Sequence, residues 1–88
     1  MVQISNKTVY AVTTERRGRT HTYVGTLEHL VNNVFGYTIE CNGYDKYSVK
    51  SLTTLLKYLN GGQSYWSIDT YYEGRKATKE EIANANVA

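Results

Sequence analysis

The chain has 88 residues, of which 41% are hydrophobic and 20% charged, and its formal net charge is +2. That length accommodates one core and excludes a second domain, while the apolar fraction excludes a disordered chain. No run approaches the ~20 apolar residues of a membrane span, and Met-Val-Gln-Ile-Ser-Asn-Lys at the start is not a signal-peptide core, so no membrane contact is expected. A single cysteine, Cys41, cannot make an internal disulfide, which favours a reducing compartment such as cytoplasm. Nine tyrosines against one Trp and one Phe bias the aromatic set towards rings with a hydroxyl, suited equally to half-buried strands and to binding surfaces.

In chain order, Lys7–Glu15 is rich in Thr, Val and Tyr and predicts a strand. Val9, Ala11 and Thr13 fall on one face and Tyr10, Val12 and Thr14 on the other, so both faces begin apolar. Arg16-Arg17-Gly18-Arg19 interrupts the alternation and Thr20–Val24 resumes it, which is a β-hairpin with a basic tip and Gly18 at the positive-φ position. Thr26–Phe35 follows as an amphipathic helix capped by the Thr26 hydroxyl, with Leu27, Leu30, Val31 and Val34 in one stripe and Gly36 as its stop. Tyr37–Cys41 reads as a third strand, and Asn42-Gly43 as a tight turn into a short return strand, Tyr44–Tyr47.

Ser48 is placed to cap a second helix from Val49 to about Leu59, whose Val49, Leu52, Leu55, Leu56 and Leu59 share a face. Asn60-Gly61-Gly62 ends it. Ser64–Tyr72 alternates as a strand, with Trp66, Ile68 and Tyr72 inward and Tyr65 and Tyr71 outward. Glu73-Gly74-Arg75 reads as a turn before a brief pairing at Lys76-Ala77, and Thr78-Lys-Glu-Glu81 is a capping box for a short last helix. The sum is one α+β domain, residues 1–88: a largely antiparallel sheet of four to five strands, two main helices packed on one face, and a short C-terminal helix. Such an arrangement leaves the second sheet face open.

The sequence contains no phosphate-cradling loop, dinucleotide fingerprint or nucleophile elbow. His21, His29 and Cys41 are too few and wrongly spaced for a structural zinc. A Cys41–His29 pair is conceivable, against the plainer reading of Cys41 as a small core hydrophobe and His29 as a solvated helix residue. A metal-free ribonuclease built on His21, Arg19 and a tyrosine has no support in the spacing. No catalytic residue, metal or cofactor is therefore expected.

The basic residues form three groups: Arg16, Arg17 and Arg19 at the hairpin tip, Lys50 and Lys57 on one helix stripe, and Arg75, Lys76 and Lys79 near the end. Guanidinium forks pair with phosphate and stack on bases. Tyr10 and Tyr23 flank the first group, and Tyr65 and Tyr71 point outward. Aromatic rings beside arginines hold single-stranded RNA by stacking and charge neutralisation, so RNA is a possible partner. The plainer readings are a solvated hairpin tip and half-buried strand tyrosines.

The strings Val9-Tyr-Ala-Val-Thr-Thr-Glu, Thr22-Tyr-Val-Gly-Thr-Leu-Glu-His-Leu, Tyr37-Thr-Ile-Glu-Cys and Lys50-Ser-Leu resemble those of small accessory proteins of tailed bacteriophages. The shared element is a Thr-Tyr-x-Gly-Thr-Leu turn into a helix, a Tyr-Thr-(Leu/Ile)-Glu strand and a Lys-Ser-Leu helix, within residues 9–60. Such proteins often inhibit host machinery or defence, and among them are the phage inhibitors of type III toxin–antitoxin ribonucleases, which engage the toxin together with RNA. The resemblance implies a non-enzymatic counter-defence protein in the host bacterial cytoplasm, with a host toxin or defence protein as partner. It carries over no functional positions. Two other readings stay open: a nucleic-acid-free protein–protein inhibitor of the anti-CRISPR kind, and a self-associating structural module that forms a homodimer through an exposed strand.

Overall fold

A computed structural model of the chain describes residues 8–61 and 69–85. Strands β1 (Val9–Arg16) and β2 (Arg19–Thr26) form an antiparallel hairpin, and β3 (Thr70–Lys76) pairs antiparallel with the other side of β1. The order across the sheet is β2-β1-β3. Arg17 and Gly18 make the hairpin turn, both at positive φ (53° and 83°), the backbone twist that matches a two-residue connection. β1 takes the centre and has a buried residue on each face, Ala11 on one and Val12 on the other.

Helices follow as α1 (Leu27–His29), a π-helical turn (Leu30–Val34), α2 (Gly36–Cys41), a 3-10 turn (Lys46–Ser48), α3 (Leu52–Asn60) and α4 (Lys79–Ala85). The Thr26 hydroxyl accepts from the His29 N–H at 3.1 Å, capping α1 as the sequence predicts. Val12, Leu30, Ile39, Leu55 and Leu59 are fully buried, joined by Val31, Phe35 and Tyr72. Each large aliphatic side chain so buried contributes about 1.5–3 kcal/mol.

The described sheet has three strands, not the four to five expected, and the reason is packing. Tyr37–Cys41 has strand-like composition but forms α2. The Phe35 N–H bonds the Leu30 carbonyl at 2.7 Å, five residues back, and this extra residue in the turn carries Phe35 and Ile39 into the core together. Burial of those two side chains outweighs local β preference. Asn42-Gly43 then ends a helix instead of turning a hairpin. Gly43 stands at φ 91°, its N–H bonds the Glu40 carbonyl at 3.0 Å, and the Tyr44 N–H bonds Ile39 at 3.1 Å. That pair of bonds is the Schellman arrangement, which uses a left-handed glycine as a type I′ turn does. The expected return strand at Tyr44–Tyr47 is instead a loop leading into the 3-10 turn.

Two further boundaries move. Ser51, not Ser48, caps α3, accepting from the Thr54 N–H at 3.2 Å, so Val49 and Lys50 lie in the preceding loop. Glu73-Gly74-Arg75 is no turn but the middle of β3. Gly74 is needed there because α3 lies close, with Leu52 Cδ1 3.0 Å from where a Cβ would stand. The inward positions Trp66 and Ile68, and Tyr65 with them, lie outside the described residues.

Helices sit on both faces. α4 lies against β2 on the face opposite α3, so the second face is partly covered. Its capping box is present as predicted: Glu81 N–H donates to Thr78 Oγ1 at 3.1 Å and Thr78 N–H to Glu81 Oε1 at 2.9 Å. Along the outer edge of β3 the Asn60 amide donates to the Tyr72 carbonyl and accepts from the Tyr72 N–H, both at 2.9 Å. A side chain thus completes the ladder that an edge strand would leave open.

Candidate functional site

Residues opposite one another in an antiparallel ladder share a face. The register puts Thr14 and Arg16 of β1 with Arg19, His21 and Tyr23 of β2 and Thr70 and Tyr72 of β3 on the face that carries α2 and α3. At the hairpin end a cleft of 340 Å³ opens there between sheet and helices, lined by Thr14, Arg16, Tyr23, Phe35, Tyr37 and Tyr72. Arg16 and Arg19 are direct cross-strand partners at the last rung before the turn. Neither forms a salt bridge among the described residues. Glu15, the nearest carboxylate in sequence, faces the other side, and its Oε2 accepts from the Gly18 N–H at 3.3 Å.

Rings continue from the arginines across the sheet. His21 and Tyr23 lie 4.4 Å apart, Tyr23 meets Phe35 edge-on at 5.4 Å, and Phe35 meets Tyr72 edge-on at 5.8 Å. Tyr23 is therefore a wall of the cleft, held from both sides. The accessible ring is Tyr37, 69% exposed on the first turn of α2. A side-chain hydrogen bond with Cys41, one turn on, raises the phenol above its ordinary value. Cys41 itself is exposed, not the core residue expected.

The other predicted positions do not join this site. Arg17, at the tip, pairs with Asp69 at 3.2 Å. Arg75 is held by Glu81 through two bonds of 2.7 Å, and it lies with Tyr71 on the second face. Tyr71 is 54% exposed but sits opposite Glu15, on the side away from Arg16 and Arg19. Lys76 pairs in register with Tyr10, and Tyr10 is six residues from Arg16, roughly 20 Å along the strand. Lys79 opens α4 and Lys57 is on α3, both exposed. Lys50 is not on a helix stripe with Lys57 but in the loop before α3. Tyr44, in the loop after α2, stacks face to face on Tyr58 of α3 at 4.4 Å, and the Asn42 amide donates to the Tyr58 carbonyl at 2.9 Å.

Three residues escape the sequence reading: Tyr37, Lys46 and Tyr47. Tyr37 is hidden because strand composition conceals the helix it stands on. Lys46 and Tyr47 belong to a second cleft of 560 Å³ at the far end of the same face, which also receives Lys50 and Tyr10. The only signal for it in the sequence is the spacing of Lys46 and Lys50 around Tyr47. Among the described residues, no group of three or more His, Cys, Asp and Glu side chains is arranged to hold a metal, and no helix is long and apolar enough to cross a membrane. Compared with known protein families, curated proteins and solved structures, the chain has no match.

Proposed function

We propose that the chain binds a single-stranded segment of RNA at the hairpin end of the sheet, and that it acts without catalysis as a phage counter-defence protein. In this reading it occupies the RNA, or the RNA–protein complex, of a host toxin nuclease. The observation that carries the RNA reading is the cross-strand pair Arg16 and Arg19, of which Arg16 lines the same cleft as the exposed Tyr37 ring. Like charges directly opposite on a ladder destabilise it by roughly 0.2–1 kcal/mol. A polyanion laid across both removes that repulsion, while an unstacked base finds a platform on Tyr37. The counter-defence role rests on the phage resemblance.

Filter binding of a single-stranded RNA oligonucleotide across a salt series tests the binding. Affinity falls with added salt, and Arg16→Ala/Arg19→Ala lowers the slope of log affinity against log salt by about 1.4, two phosphates' worth on a single strand. Arg75→Ala leaves it unchanged. Binding that is indifferent to salt, or equally weakened by Arg75→Ala, rejects the assignment.

A further inference from the structure

We propose that the larger cleft, at the end of the sheet away from the hairpin, seats an extended acidic peptide segment of a protein partner. Its apolar side chain rests on the floor, and its carboxylate meets Lys46 and Lys50. At 560 Å³ the cleft falls within the span of ligand sites, about 300–1,000 Å³. Its floor is Tyr10, Leu27, Val31 and Val49, a surface for a branched or aromatic side chain. The cation Lys46 is held in place: its Nζ stands 5.3 Å from the Tyr47 ring centroid, and its Cδ lies 3.3 Å from where a Cβ on Gly36 would sit. An ammonium already positioned loses little freedom when it meets its ligand. Asp45, its neighbour, turns its carboxylate to the Tyr47 N–H at 3.0 Å and makes no salt bridge with Lys46. Among the described residues neither Lys46 nor Lys50 forms a salt bridge.

Two features favour a carboxylate-bearing peptide over nucleic acid here. No arginine lines the cleft, so nothing forks a phosphate. Lys46 already covers a face of the exposed Tyr47 ring, where a base would have to stack. The inference does not depend on the arginine end, roughly 20 Å away along β1.

The test is an NMR titration of the whole chain with three probes. They are the capped octapeptide Asp-Leu-Asp-Phe-Glu-Leu-Asp-Phe, its counterpart with Lys in place of each acid, and an oligouridylate. The acidic peptide is expected to bind saturably and shift the amides of Tyr10, Val31 and Val49. Lys46→Ala/Lys50→Ala should weaken it at least tenfold with the spectrum otherwise preserved, while Lys46→Arg/Lys50→Arg retains binding and Arg16→Ala/Arg19→Ala has no effect. The proposal is overturned if the acidic peptide fails to bind, if the lysine peptide binds as well, or if oligouridylate shifts the same amides. Loss of oligouridylate binding alone would count against the arginine end and leave this cleft standing.

Discussion

The two ends of the helix-covered sheet face carry different cations on different supports. At the hairpin end, Arg16 and Arg19 stand on a ladder whose register sets their spacing, with a chain of rings from His21 to Tyr72 beside them. At the other end, Lys46 and Lys50 stand on a 3-10 turn and a loop, above a largely apolar floor. Strand-borne forks suit regularly spaced phosphates; loop-borne point charges suffice for an isolated carboxylate. Arg75 supplies the contrast. It is the same residue type as Arg16, yet Glu81 holds it bidentately, so a basic residue becomes a candidate contact only where the fold leaves it uncompensated.

The largest expected effect comes from removing what both ends share. Ile39→Ala should cost about 2–5 kcal/mol by leaving a cavity beneath α2, lowering the denaturant midpoint and weakening both clefts together. Tyr37→Ala separates them: RNA affinity falls by about 1–3 kcal/mol per lost base stack while the acidic-peptide shifts persist. Asn60→Ala should destabilise by about 1–3 kcal/mol, because the Tyr72 N–H and carbonyl lose their partner, with amide shifts concentrated at the hairpin end.

Smaller effects follow from the paired cations. The hydrogen bonds from the Arg75 side chain and the Thr78 N–H lower the Glu81 carboxyl from 4.5 to about 2. Its folded value lies below its unfolded one, so the stabilisation is complete above pH 4.5 and disappears as pH falls towards about 2. Thermal melts across that window should show the decline, and Glu81→Gln should flatten it. Arg17→Asn should raise stability by less than about 1 kcal/mol, since relief of a left-handed arginine exceeds the loss of one exposed ion pair. An unchanged or lower denaturant midpoint would show that the Asp69 contact holds the tip.

Legibility in the sequence followed the range of the signal. The hairpin, the Thr26 cap and the Thr78–Glu81 box were readable because each closes within a few residues. The candidate site was half readable: Arg16, Arg19 and Tyr23 converge, while Arg17, Arg75 and Tyr71 go elsewhere. The difference lies in carboxylates and strand faces that no local pattern specifies. Tyr37 was concealed by β-branched and aromatic neighbours, which prefer a strand until Ile39 finds the core.

The order of apolar stripes, the Thr26 and Thr78 caps and the positive-φ turn are properties of the chain alone, because dihedral preference and hydrogen-bond reach act locally. Whether Asn42-Gly43 turns a hairpin or ends a helix, whether Gly74 breaks a strand or admits Leu52, and which arginine stays uncompensated were decided only on packing. In each case a local signal is compatible with two outcomes, and burial against residues distant in sequence selects between them.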